Sequence, residues 1–156
     1  MIVPQITLAC MPDEPPILLV EDDANDALVA RRALERAGVT APITHLQDGE
    51  EAINYLAAYT PFHDRAKHPL PSLILLDLKM PKLSGFEVLS WLQSRPELAK
   101  IPVVVLTGSM LPADRKQAQN LGAVGFEVKP VEFEQIVAIA QNIKLHLPGQ
   151  TSPPNP

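Results

Sequence analysis

Cysteine is almost absent from this chain: Cys10 is the single one in 156 residues, so no disulfide can form within it. A lone thiol fits a reducing compartment, and a cytoplasmic location is expected. Basic residues are few and scattered. Lys and Arg number 13 against 18 Asp and Glu, a net charge of −5, and they form no cluster. A nucleic-acid groove needs a basic patch, so no nucleic-acid partner is expected. No apolar run is long enough to cross a bilayer, so no membrane association is expected either. The segment from Met1 to Met11 is fairly apolar, but it lacks a basic start and Pro4 interrupts it, which makes it a poor signal peptide. Thr7-Leu8-Ala9-Cys10 is a weak match to a lipoprotein cleavage box, with Thr at the usual Leu position. There is no glycine-rich phosphate loop, so nucleotide binding is unsupported. His45, His63, His68 and His146 show no metal-ligand spacing and read as surface or loop residues. No internal repeat is visible.

What is present is the composition of one globular domain, 46% hydrophobic and 20% charged. Eight of the 17 prolines lie at the two ends: Pro4, Pro12, Pro15, Pro16, Pro148, Pro153, Pro154 and Pro156. Proline disfavours helix interiors and central strands, so residues 1–15 and 148–156 read as tails around a domain at 16–147.

Within that domain, short apolar runs alternate with helical patterns. Ile17-Leu18-Leu19-Val20, Leu73-Ile74-Leu75-Leu76 and Val103-Val104-Val105-Leu106 read as buried strands. Ile43 to Leu46 is a weaker strand followed by an Asp48-Gly49 turn signal, and Val124 to Val128 is a fifth. Helices are predicted over Asp23–Ala37, Glu50–Ala58, Gly85–Ser94, Pro112–Leu121 and Phe133–Leu147. Asp23 is placed to cap the first, and Gly38 to stop it. Phe86 and Trp91 read as helix core. Tyr59 to Ser72, with three prolines, reads as a loop. Five βα units whose strands are apolar throughout imply a doubly wound five-stranded parallel sheet covered on both faces. Such α/β folds bind ligands beyond the carboxyl ends of their strands.

At those ends stand Glu21-Asp22-Asp23, Asp77, Thr107 and Lys129. Each alone has an ordinary explanation. Asp22 or Asp23 is a helix cap, Asp77 a turn residue, Thr107 a strand terminator and Lys129 a solvated charge. Parallel strands bring all of them to one edge, which is a far less ordinary outcome. Carboxylates crowded together raise one another's pKa unless a cation sits among them. Oxygen ligands suit a hard divalent ion such as Mg²⁺. A carboxylate can attack phosphorus, while a lysine and a hydroxyl bind phosphate oxygens.

With these residues in place the chain resembles the response-regulator receiver family over about residues 16–147. The resemblance rests on Ile17 to Asp23, on Leu75-Leu76-Asp77-Leu78-Lys79-Met80-Pro81 with Ser84-Gly85, on Val105-Leu106-Thr107-Gly108 and on Val128-Lys129-Pro130. It implies a (βα)5 flavodoxin-like receiver fold and a phosphorylation switch rather than an enzyme turning over outside substrates. Asp77 would be the phosphoacceptor. Glu21, Asp22, Asp77 and the backbone carbonyl of Lys79 would hold Mg²⁺. Thr107 and Phe126 would be the switch pair, and Lys129 the phosphate-sensing lysine, in a Lys129–Pro130 bond that is cis in the family. Glu21 stands where many members have Asp, and Phe126 where many have Tyr. Lys79 and Ser109 occupy positions that in the family tune dephosphorylation. The long Tyr59–Ser72 loop is similar to that of single-domain regulators of phytochrome-type histidine kinases, so such a kinase is the expected partner and a homodimer is compatible. Two other readings stand beside this one. A docking-only adaptor would have no need of the acids and Lys129. An aspartyl phosphohydrolase would often carry a second Asp where Lys79 stands.

Overall fold

The computed structural model describes residues 14–149. Cys10, the Met1–Met11 segment and most of both proline-rich ends lie outside the described residues. Five strands form one parallel sheet: β1 (Ile17–Val20), β2 (Ile43–Leu46), β3 (Leu73–Leu76), β4 (Val103–Thr107) and β5 (Gly125–Val128), in the order β2-β1-β3-β4-β5. Six helices connect or follow them: α1 (Ala24–Arg36), α2 (Gly49–Leu56), α3 (Gly85–Gln93), α4 (Pro96–Ala99), α5 (Pro112–Asn120) and α6 (Phe133–Lys144).

The fold follows from the two-residue period of a strand. In β1, Leu18 and Val20 face one way, and Ile17 and Leu19 the other, and all four are buried. Leu18, Val20, Ile74, Leu76, Val103 and Val105 make one core with α2, α3 and α5. Ile17, Leu19, Leu73, Leu75, Val104 and Leu106 make the other with α1 and α6. A sheet covered on both faces needs strands that are apolar at every position, as β1 and β3 are. On α1 the buried residues are Ala27, Ala30, Ala33 and Leu34, a small-residue stripe toward the sheet and α6.

Asp23 caps α1 as expected, its carboxylate accepting the Asp26 N–H at 2.9 Å. Gly38, at φ +92°, ends it in the left-handed region that glycine tolerates. Four readings change. Asp48-Gly49 is not a free turn: Asp48 is extended and caps α2 by accepting the Glu51 N–H at 2.8 Å. The helix α4, with Pro96 at its first position, was not anticipated, because four residues carry too little periodicity to register. His45 is no mere surface residue: it lies half-buried on β2, its Nε2 2.7 Å from the Glu21 carbonyl oxygen. The cis peptide bond among the described residues is Thr60–Pro61, so Lys129–Pro130 is trans. The two isomers of such a bond differ by only about 0.5–1 kcal/mol, so the dipeptide by itself does not determine which is present.

The Tyr59–Ser72 loop has its own packing. The Arg65 guanidinium donates to the carbonyls of Tyr55, Leu56 and His68 at 2.9, 2.8 and 3.0 Å. It thereby satisfies the Leu56 carbonyl, which the end of α2 leaves without a helical partner, and joins the Ala58 N–H on the Tyr55 carbonyl. Phe62 and His68 pack on Tyr55, with ring centroids 5.1 and 5.8 Å from it. Phe86 and Trp91 pack half-buried against the core, as expected.

Candidate functional site

The carboxyl ends of β1, β3, β4 and β5 share one edge, and backbone hydrogen bonds carry the sheet one residue past the strands. The Asp77 N–H donates to the Val20 carbonyl at 3.1 Å, and the Lys129 N–H to the Thr107 carbonyl at 2.7 Å. Glu21 is anchored likewise, its N–H donating to the Leu46 carbonyl at 2.9 Å. The side chains on this rim are therefore placed by the sheet and not by a loose loop. Oxygen atoms of Glu21, Asp22 and Asp77 all lie within 4.8 Å of one another. Glu21 and Asp77 are buried, and Asp22 is exposed.

Lys129 reaches across from β5. Its ammonium contacts Glu21 Oε1, Asp77 Oδ2 at 3.2 Å and Asp26 Oδ2 at 3.0 Å. Beneath these ion pairs is an apolar cleft between α1 and α6, lined by Leu19, Val29, Leu75, Leu106 and Ile136. Burial in these surroundings, and next the Asp77 carboxylate, push the Glu21 pKa up to about 8, against the pull of Lys129. Burial works against the Lys129 ammonium, but the bond to Glu21 and the charge of Asp77 outweigh it, and its pKa is raised.

The site has the properties a hard divalent cation requires. The donors are all oxygens, and they are few enough to leave room for water ligands. Glu21 Oε2 is buried without any hydrogen-bond partner, an acceptor left over once Lys129 has taken Oε1. Such an orphan is costly, and a cation would satisfy it. Lys79 donates its backbone N–H toward Asp77 Oδ1 at 3.4 Å, while its side chain is exposed.

A pH dependence follows. A carboxyl whose folded pKa is raised holds its proton over a range where the unfolded chain has lost it. In the cation-free protein its contribution to stability therefore falls as pH climbs from 4.5 to about 8. Binding a cation requires the proton to leave, so apparent affinity should rise by up to about tenfold per pH unit below that point and level off above it. Titration calorimetry in two buffers of different ionisation enthalpy should register proton release near neutral pH. Binding without proton release would mean that Glu21 is already ionised.

Asp22 and Asp23 differ in setting although they are adjacent: an Asp22 oxygen belongs to the acidic cluster, and Asp23 caps α1. Asp23→Ala should cost about 0.5–2 kcal/mol in thermal or denaturant unfolding, the usual loss for a helix cap, and should leave cation affinity close to wild type. Asp22→Ala should weaken the cation at least tenfold by removing one of about three charged oxygen ligands, with little change in stability. The opposite pattern would exchange the two roles.

Thr107 is buried at the end of β4, its Oγ1 accepting the Ser109 N–H at 3.3 Å. Ser109 is itself buried, and its hydroxyl donates to Asp114 in the first turn of α5. Phe126 is buried on β5, on the same side of the sheet as Val105 and, by the two-residue period, Thr107. The Arg115 guanidinium carbon sits 4.7 Å from its ring centroid. Of the residues singled out in the sequence, Glu21, Asp22, Asp77 and Lys129 are drawn together, with Thr107 at the adjoining strand end. Asp26 was missed: in sequence it is one more acid in a first helical turn, where acids are common.

The model of the response regulator receiver domain matches residues 17–141. The chain is 39% identical over 140 residues to a probable methanogenesis regulatory protein, FilR2, of Methanothrix harundinacea, covering 90% of this chain and 88% of that one. It is 41% identical over 128 residues to response regulator Rcp1 of Synechocystis, covering 82% and 85%. The Mn²⁺-bound form of a response regulator Rcp1 superimposes with a TM-score of 0.78 at 32% identity, covering 90% of this chain and 99% of the other. A phosphorylated cyanobacterial phytochrome response regulator, RcpA, does so with a TM-score of 0.79 at 32% identity, covering 91% and 99%.

Proposed function

Because this chain belongs to the response regulator receiver domain family, we propose that Asp77 is its phosphoacceptor in a two-component phosphorelay. The observation that carries the reading is the convergence of three carboxylates and Lys129 at one sheet edge, with a buried oxygen of Glu21 left unpartnered. Glu21, Asp22 and Asp77 hold a divalent cation, Mg²⁺ in the cell, and the backbone carbonyl of Lys79 completes the protein's share. When bound, that cation neutralises charge on the transferring phosphoryl group.

The remaining work belongs to the protein's own side chains. An Asp77 carboxylate oxygen attacks phosphorus. The bond from phosphorus to its donor breaks, the donor keeps that electron pair, and an acyl phosphate forms on Asp77. Lys129 places its ammonium on a phosphoryl oxygen, and the Thr107 hydroxyl turns to donate to another. Thr107 then gives up its bond from the Ser109 N–H, and Phe126 fills the space beside it. The loops into α5 and α6 follow, and the signal leaves through the α5–β5–α6 face. Met110 and Leu111 in the loop before α5 and Val131 in the loop before α6 are exposed, open to a second copy or a downstream protein. The donor is a phosphohistidine of a sensor kinase, of phytochrome type by analogy with RcpA. No helix among the described residues is long and apolar enough to cross a membrane.

Incubation of the intact protein with acetyl phosphate or phosphoramidate tests the reading. One phosphoryl group should add to the mass with Mg²⁺ present, and none with a chelator. Labelling that persists in the chelator would overturn the metal's part. No labelling with any donor or with a kinase would favour a docking-only protein.

A further inference from the structure

We infer that Asp26 is a positioning residue that holds Lys129 in the resting state and competes with the phosphoryl group for it. The inference rests on the assignment of Asp77 as acceptor. A lysine ammonium has three N–H donors and no acceptor. In this structure those donors face three carboxylates, those of Glu21, Asp26 and Asp77. The cation is therefore saturated before any phosphoryl group arrives, and binding a phosphoryl oxygen requires one partner to be released.

The three partners differ in how readily they let go. Glu21 and Asp77 are buried, and before a divalent cation binds a carboxylate stripped of Lys129 there has no water to replace it. Asp26 is about half exposed, its side chain retaining 49% of its accessible surface, so solvent can take over its solvation. It is the partner whose release costs least. Its carboxylate is on the first turn of α1, so the ion pair ties that turn to the β5–α6 loop. Asp26 thus sets how much of the Lys129 charge is aimed at Asp77. Removing its carboxylate should strengthen the hold of Lys129 on a phosphoryl oxygen.

The sign of this effect separates it from a structural role. Asp26 also sits favourably at a helix N-terminus, and loss of that interaction loosens the site. A loosened site binds a phosphoryl mimic more weakly, whereas a freed Lys129 binds it more tightly. The measurement is the affinity of the full chain for beryllofluoride with Mg²⁺, by calorimetry or ¹⁹F NMR, for wild type, Asp26→Asn, Asp26→Glu, Asp23→Asn and Asp77→Asn. Asp26→Asn should tighten the mimic about fivefold, the size of an ion pair worth about 1 kcal/mol at a part-exposed position. Asp26→Glu, which restores the charge, should return most of the way to wild type. Asp23→Asn keeps a capping side chain and removes a charge from the same turn without touching Lys129, so it isolates the contact from the general field. Its effect should stay well below that of Asp26→Asn. Unchanged or weakened affinity in Asp26→Asn, or an equal gain in Asp23→Asn, would overturn the inference while leaving Asp77 as acceptor. Binding that survives Asp77→Asn, or wild-type protein that binds no mimic, would instead overturn the reading of the site and this inference with it.

Discussion

Asp77→Asn should take no phosphoryl group from acetyl phosphate, phosphoramidate or a kinase under conditions that label the wild type, while remaining folded. The expected loss is complete, because an amide is neither a competent nucleophile toward phosphorus nor an anionic metal ligand. Asn keeps the shape of Asp and one of its two acceptor oxygens, so the backbone at the end of β3 is left in place. The change also removes one of the crowded negative charges, and Glu21 and Asp26 still hold Lys129. Stability should therefore stay within about 1 kcal/mol of wild type, as for substitutions that open no cavity and strand no charge. Intact mass spectrometry gives the first quantity and thermal unfolding the second. Label retained on Asp77→Asn would move the acceptor to another carboxylate, and Glu21 and Asp22 would be the first to map.

Gly85→Ala should give the largest loss of stability among single small substitutions near the site. Gly85 begins α3 with its backbone against the turn that follows β3, and its N–H donates to the Leu78 carbonyl at 2.9 Å. A methyl group there would collide with the Asp77 carbonyl oxygen and lie 2.8 Å from the Leu78 Cα. Both are backbone atoms, so no rotamer change relieves the contact. Either α3 must withdraw or the Asp77 turn must shift. Overpacking of this kind costs about 1–3 kcal/mol, and a fixed backbone neighbour places it at the upper end. For a domain of this size the melting temperature should fall by roughly 5–10 °C. Labelling of Asp77 should slow as well, since the same shift misplaces the acceptor. Gly108→Ala is the control: nothing lies within 4 Å of a Cβ there, and that variant should melt as wild type does. A Gly85→Ala protein that melts and labels like wild type would show that the close approach carries no constraint.

Much of this site was legible in the sequence for a definite reason. Strands buried on both faces must be apolar at every position, so β1, β3 and β4 stand out as short apolar runs. Each run ends where a polar residue follows or closes it, and parallel connections send those ends to one edge. Glu21, Asp77, Thr107 and Lys129 could therefore be grouped across a hundred residues with no distance known. The cap at Asp23 was legible because it depends only on neighbours three positions away.

Other features depend on contacts that no local pattern encodes. Asp26 looks like any acid in a first helical turn, and its ion pair with a residue 103 positions away exists only once β1 and β5 flank β3 and β4 in one sheet. His45 lies on a strand too weakly patterned to show which face or neighbour its ring would meet, and the carbonyl it contacts belongs to Glu21, just past the end of the adjacent strand β1. The isomer of Lys129–Pro130 and the packing of Arg65 under the long loop are likewise set by surroundings, since neither residue pair has a strong preference of its own. The residue sequence by itself determined the order of elements, the two-faced sheet and the identity of the rim residues, because periodicity and hydrophobicity act over short spans. Tertiary structure alone decided the upward shift of the Glu21 pKa and the partners of Lys129. Both follow from burial and from the approach of charges in space, which no short-range pattern in the residues encodes.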